Sequence, residues 1–134
     1  MGKKKVVLDT NIVISALAYD GPERRVFSKC INREFILYIT TEILEEVSRV
    51  LEYPKFAFSS DQKSRIKLAL AEAGNLIPII ERINIVSEDP SDNIFLEAAI
   101  SSEADFLVTG DKHLLKIKQI GKTAIVRAPD CLDQ

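Results

Sequence analysis

The sequence predicts a three-layer α/β/α sandwich on a parallel sheet of about five strands, from three observations. Short apolar runs alternate with stretches of helical periodicity, as strands and crossover helices do in a parallel sheet. The clearest run, Val6-Val7-Leu8, is apolar and β-branched without alternation, as befits a strand buried on both faces. Finally, carboxylates recur just after such runs. Val6-Val7-Leu8 stops at Asp9, Ile85-Val86 enters the acidic turn that ends at Asp92, and Phe106-Leu107-Val108 leads through Thr109-Gly110 to Asp111. In open parallel sheets, ligands bind at the carboxyl edge of the strands, where loops and helix N-termini converge. Three strands that each deliver an Asp there would build a carboxylate cluster.

The first strand, ending at Leu8, leads into a helix over Ile12 to Leu17. Gly21-Pro22 breaks the chain, and a second helix runs from Glu23 to Asn32 with Val26, Phe27, Cys30 and Ile31 inward. Phe35 to Ile39 is the second strand. Thr40 or Thr41 caps the next helix, whose first turn holds Glu42 and Glu45 as a capping box would; Pro54 ends it after about Tyr53. Ser59 or Ser60 caps a helix over Asp61 to Ala73, which Gly74-Asn75 terminates. Leu76 to Val86 is a connector ending in a short third strand, Asn84 to Val86. A helix follows from Asp92 to Ser101, then a fourth strand from Asp105 to Thr109, a short helix from Asp111 to Leu115, and a fifth strand from Thr123 to Val126.

The 134 residues suffice for one domain with one core. With 46% hydrophobic and 28% charged residues, the composition is that of a soluble globular protein. No apolar stretch approaches the roughly 18 residues that cross a bilayer, and the run after Lys3-Lys4-Lys5 is too short for a signal-peptide core. A cytoplasmic protein is expected. Cys30 and Cys131 form no metal-binding or redox motif, so reduced structural thiols are expected. The net charge of -2 gives no global attraction to nucleic acid, which leaves that role to local basic patches.

A single Asp after a strand is most simply a helix N-cap. Three together are harder to explain that way: two carboxylates about 4 Å apart repel by roughly 4 kcal/mol at an effective dielectric near 20. Such a cluster needs shifted pKa values or a bound cation. The donors are oxygens, which suit Mg²⁺ or Mn²⁺ better than zinc. A fourth carboxylate is expected from the helix after Thr41, where Glu42, Glu45 and Glu46 cannot all face one point.

Four ordered blocks carry a resemblance to a known family. They are Val6-Val7-Leu8-Asp9-Thr10-Asn11, Thr41-Glu42-Ile43-Leu44-Glu45-Glu46-Val47, Asp89-Pro90-Ser91-Asp92-Asn93, and Asp105-Phe106-Leu107-Val108-Thr109-Gly110-Asp111. In order and spacing they resemble PIN-domain nucleases, in the VapC-like prokaryotic branch that supplies toxin components of toxin-antitoxin pairs. The resemblance implies a PIN-like fold and a Mg²⁺- or Mn²⁺-dependent endoribonuclease with Asp9, Glu46, Asp92 and Asp111 as its catalytic acids. Glu46 takes the family's glutamate position, with Glu42 as the fallback. Asn11 and Thr109 match polar positions that support the acids. On this basis Asp9 and Asp111 hold the metal directly, while Asp92 and Glu46 complete the site directly or through water. An RNA substrate, a homodimer and a small antitoxin partner are implied as well.

Phosphates need cations. Lys112, Lys116, Lys118, Lys122 and Arg127 follow the last acid, and Arg24, Arg25, Lys29 and Arg33 follow the first strand-helix unit; Lys112 and Arg24 are the candidate substrate contacts. Such runs are more often solvated helix faces. His113 is expected at the surface or in packing. Tyr19, Tyr53 and Phe58 are the aromatics nearest loops, with nothing in the sequence to show that they stack bases. A DxDxT phosphatase is disfavoured because Asn11 stands where its general acid would be, and a response-regulator receiver because the first strand lacks paired acids. The rival is a catalytically silent PIN-like module that binds RNA or protein.

Overall fold

Val6, Val7 and Leu8 are at most 2% exposed, and the reason is their position in the middle of the sheet. The computed structural model describes residues 2–83 and 90–133. In it β1 (Lys4–Leu8) pairs in parallel with β2 (Phe35–Ile39) on one side and with β4 (Phe106–Val108) on the other. β3 (Gly74–Leu76) lies outside β2, and β6 (Thr123–Val126) and then β5 (Gln119–Ile120) lie outside β4, giving the order β3-β2-β1-β4-β6-β5. Helices flank this sheet, as the sandwich reading requires. α1 (Thr10–Ala18) packs on α2 (Pro22–Ile31) and α3 (Thr41–Leu51), α3 packs on α4 (Ser60–Ala73), and α5 (Asn93–Ser102) lies across β1, β2 and β4. Two short helices, α6 (Lys112–Ile117) and α7 (Ala128–Asp133), complete the fold. No described helix is long and apolar enough to cross a membrane.

Each buried Val or Leu of this core contributes about 1.5–3 kcal/mol by leaving water. Cys30 and Cys131 belong to the core as free thiols, 1% and 0% exposed. Burial pushes them up to about 12 and about 11.

Several elements differ from expectation, each for a local reason. The sheet has six strands among the described residues, five of them parallel. β5 is the antiparallel addition, folding back on β6 through a two-residue turn in which Gly121 supplies the positive φ of 55°. The expected strand Asn84 to Val86 lies outside the described residues, as does the acidic turn through Asp89. A strand forms instead at Gly74–Leu76, where a helix stop was expected. Gly74 has ordinary extended backbone, φ -82° and ψ 148°, and a Cβ there would stand 2.6 Å from Ile39 Cδ1. Close approach to β2, and not a left-handed cap, is what requires glycine. Ile31 is 47% exposed rather than inward, because it is rotated off the stripe of Val26, Phe27 and Cys30. At α3, Thr40 is the cap, its Oγ1 accepting from the Ile43 N–H at 3.1 Å. The residue three places on is apolar, so no reciprocal capping box forms. That box forms at α4, between Ser59 and Gln62.

Candidate active site

The strand order places a topological switch point between β1 and β4: from β1 the chain proceeds to β2 and β3 on one side, then returns to the other. Crevices at the carboxyl ends of strands open at such points. The register aligns Leu8 with Val108, so Asp9 and Thr109, each one residue past its strand, stand side by side. The Thr109 hydroxyl donates to Asp9 Oδ2 at 2.7 Å and accepts from the Asp111 N–H at 3.0 Å. One buried threonine, 0% exposed, thus ties the ends of two neighbouring strands and two of the acids together.

Asp9 also caps α1, with Oδ1 accepting from the Asn11 N–H at 3.4 Å. Asp111 caps α6 through the His113 N–H at 2.8 Å. Asp92 stands at the N-cap position of α5, buried, with no side-chain capping bond. Glu46 projects from α3 and pairs with Arg49 one turn on. All four acids line one cavity of about 230 Å³, together with Thr10, Asn11, Val50, Tyr53, Lys55, Phe56, Ser91 and Phe95. The acids that lie far apart in sequence therefore border one cavity, with Asn11 on the same wall and Thr109 bonded to Asp9.

Glu42, the fallback for Glu46, is elsewhere. Its Oε1 accepts from Arg82 Nη1 at 2.8 Å, and the same nitrogen reaches the buried Glu97 at 3.0 Å. Glu45 is exposed. The two candidate phosphate contacts do not line the cavity. Arg24 donates to the carbonyls of Ala16 and Leu17 at 3.0 and 3.2 Å, which satisfies the end of α1, and Lys112 is exposed on α6. His113 is exposed as well. Tyr53, Lys55 and Phe56 are the cavity residues that reasoning from acids alone misses. Helical spacing carries the signal for the first: Glu46, Val50 and Tyr53 fall at i, i+4 and i+7 on one stripe.

The electrostatics favour a cation. Burial pushes the Asp9 carboxyl above the usual range, and the charge of Asp111 adds to that; the hydrogen bonds from Thr109 and Asn11 oppose it. Thr10 Oγ1, also on the cavity wall, is buried with no hydrogen-bond partner. Among the described residues no three His, Cys, Asp or Glu side chains form a ready-made metal cage. The set instead suits an ion that is held by one or two carboxylates and keeps several of its own waters, as Mg²⁺ does.

A mostly parallel α/β sandwich with acids gathered at its switch point defines the class, and comparison with known proteins agrees. The family model described as PIN domain matches residues 5–113. The chain belongs to the PIN-domain family, whose members are in general divalent-metal-dependent nucleases. It is 31% identical over 124 residues to the uncharacterized protein MJ1680 of Methanocaldococcus jannaschii, an alignment spanning 90% of this chain and 79% of the relative. Its fold is similar to that of a chain in the crystal structure of VapBC2 from Rickettsia felis bound to a DNA fragment from their promoter. That match has a TM-score of 0.61 and 17% identity, covering 90% of this chain and 96% of the other.

Proposed function

We propose that this chain is a Mg²⁺- or Mn²⁺-dependent endoribonuclease, the toxin component of a toxin-antitoxin pair. The observation that carries the proposal is the convergence of Asp9, Glu46, Asp92 and Asp111, from four separate segments, on one cavity. Burying that much like charge is costly without a hard dication. Asp9 and Asp111 would hold the ion, and Asp92 and Glu46 would complete its surroundings. When bound, such an ion polarises the scissile phosphodiester and makes water a stronger nucleophile.

The chain's own residues then have defined tasks. Thr109 holds Asp9 in one rotamer and favours its ionised form. The backbone N–H of His113 fixes one oxygen of Asp111, leaving the other to turn toward the cavity. Glu46 would release Arg49 to join the site. No histidine base is needed. The fold likeness to a chain of the VapBC2 structure supports an antitoxin partner; that this partner covers the cavity, and that the protein is a cytoplasmic homodimer, are part of the same proposal.

Incubation of the purified chain with single-stranded RNA, with and without Mn²⁺, tests the proposal. Cleavage that requires Mn²⁺ and disappears in Asp9→Asn is the expected result. Metal-independent RNA binding with no cleavage would replace it with the silent binding module.

A further inference from the structure

Three aromatic rings form a row where the chain leaves α3. Tyr53 and Phe56 stack with centroids 6.4 Å apart and planes 5° from parallel; Phe56 and Phe58 follow at 5.6 Å and 17°. The row is anchored at one end. Phe56 and Phe58 pack against the hydrophobic core, whereas Tyr53 is 43% exposed. A short turn, Pro54–Phe56, holds the first two rings in register, and both line the cavity that contains the four acids. Lys55 lines it too, with its ammonium 5.2 Å from the centroid of the Phe56 ring. Among the described residues of the cavity wall it is the one cation.

We propose that Tyr53 receives an unpaired base of a single-stranded RNA as the next member of this stack, and that Lys55 holds a neighbouring phosphate. The inference rests on the nuclease reading of the same cavity and names the form of its substrate. A fixed ring backed by a second parallel ring loses little freedom when a base stacks on it, and stacking tolerates any base because each has a π face. Lys55 supplies attraction for the backbone beside a cluster of acids that would otherwise repel it. A paired base has both faces covered by its neighbours, so a duplex gains nothing from Tyr53. The strand that docks here must be unpaired at this position.

The test uses the full chain with Ca²⁺ in place of Mg²⁺ and three fluorescent ten-nucleotide probes: a single-stranded RNA, an abasic strand of the same charge, and an RNA duplex. Anisotropy titrations should give about tenfold weaker binding of the base-bearing strand by Tyr53→Ala, unchanged binding of the abasic strand, and near-normal binding by Tyr53→Trp. Lys55→Ala should weaken binding to both single strands and reduce the salt slope by about 1. Equal loss on base-bearing and abasic strands, no loss at all, or duplex binding as tight as single-strand binding would overturn the proposal. The two readings fail separately. Base-dependent binding through Tyr53 without Mn²⁺-dependent cleavage keeps the stacking site and removes the nuclease, while cleavage and binding both indifferent to Tyr53→Ala do the reverse.

Discussion

Thr109→Val removes one oxygen and nearly nothing else, yet that oxygen serves two acids. Its hydroxyl donates to Asp9 at 2.7 Å and accepts from the Asp111 N–H at 3.0 Å, in a residue with no solvent exposure. A hydrogen bond to a charged group contributes about 1.5–3 kcal/mol, and the partly buried N–H left behind adds up to about 1. Valine keeps the branched shape, so no cavity term enters, and the expected loss at neutral pH is about 2–3 kcal/mol. That corresponds to roughly 10 °C in melting temperature for a chain of this size.

The loss should depend on pH, with a definite sign. The folded-state carboxyl of Asp9 is already raised above 3.8, and losing the Thr109 bond raises it further. Below about pH 3.8 Asp9 is protonated in both folded and unfolded chains, and only a neutral hydrogen bond is lost, about 1 kcal/mol. As pH rises, the unfolded chains ionise first, which weakens both proteins equally; the deficit of the variant grows only once folded wild-type Asp9 ionises while the variant's stays protonated, and it levels off once the variant's has ionised too. Urea denaturation followed by circular dichroism, in EDTA between pH 4 and 8, measures it; Thr109→Ser, which keeps the hydroxyl and loses one methyl, should cost about 1 kcal/mol at every pH. A deficit under about 0.5 kcal/mol at pH 7.5, or one that stays constant across the range, refutes this account of how the acids are held.

The two helix glutamates should separate cleanly: Glu46→Gln should lower Mn²⁺-dependent RNA cleavage by about 100-fold or more, whereas Glu42→Gln, in contact with Arg82 and away from the cavity, should keep at least about half. Gly74→Ala should destabilise by about 1–3 kcal/mol through collision with the Ile39 side chain, and the double variant Gly74→Ala, Ile39→Ala should show a smaller combined loss than the two single losses added, as a double-mutant cycle in urea would show. Cys30 and Cys131, buried and held to about 12 and about 11, should not react with a thiol reagent at pH 8 on the timescale that unfolded chain does.

What was legible in the sequence is what short-range pattern encodes. β2 forms at Phe35–Ile39 as expected, and the runs at Val6-Val7-Leu8 and Phe106-Leu107-Val108 become adjacent central strands, because full burial leaves a run of apolar residues. The three aspartates were legible because each follows a strand or opens a helix; Glu46, in the middle of α3, was singled out only by the family resemblance. β3 was not: Gly74-Asn75-Leu76 has neither β-branching nor alternation, and only pairing with β2 makes it a strand. β5 is two residues long and exists only as the return of a hairpin. Arg24 looked available for phosphate because charge runs give no information about which carbonyls lie nearby. Lys55 was hidden by a related effect: it sits in a turn after Pro54, and only the path of that turn carries it to the cavity.

The competition between helix cap and ligand at the acids has an answer that spacing alone could not supply, since both roles call for Asp at the start of a helix. Asp9 and Asp111 do cap their helices, so the plain reading is correct as far as it goes. A cap contributes about 1 kcal/mol and works as well in water as out of it. It gives no reason to bury Asp9 to 5% exposure, to set Asp111 close enough to raise its pKa, and to add Asp92 and Glu46 along the same wall. Desolvating an ionised carboxylate costs more than a cap returns. The excess has to be offset by something beyond capping; Thr109 supplies part of it, and under the proposed function a dication held by Asp9 and Asp111 would supply the rest.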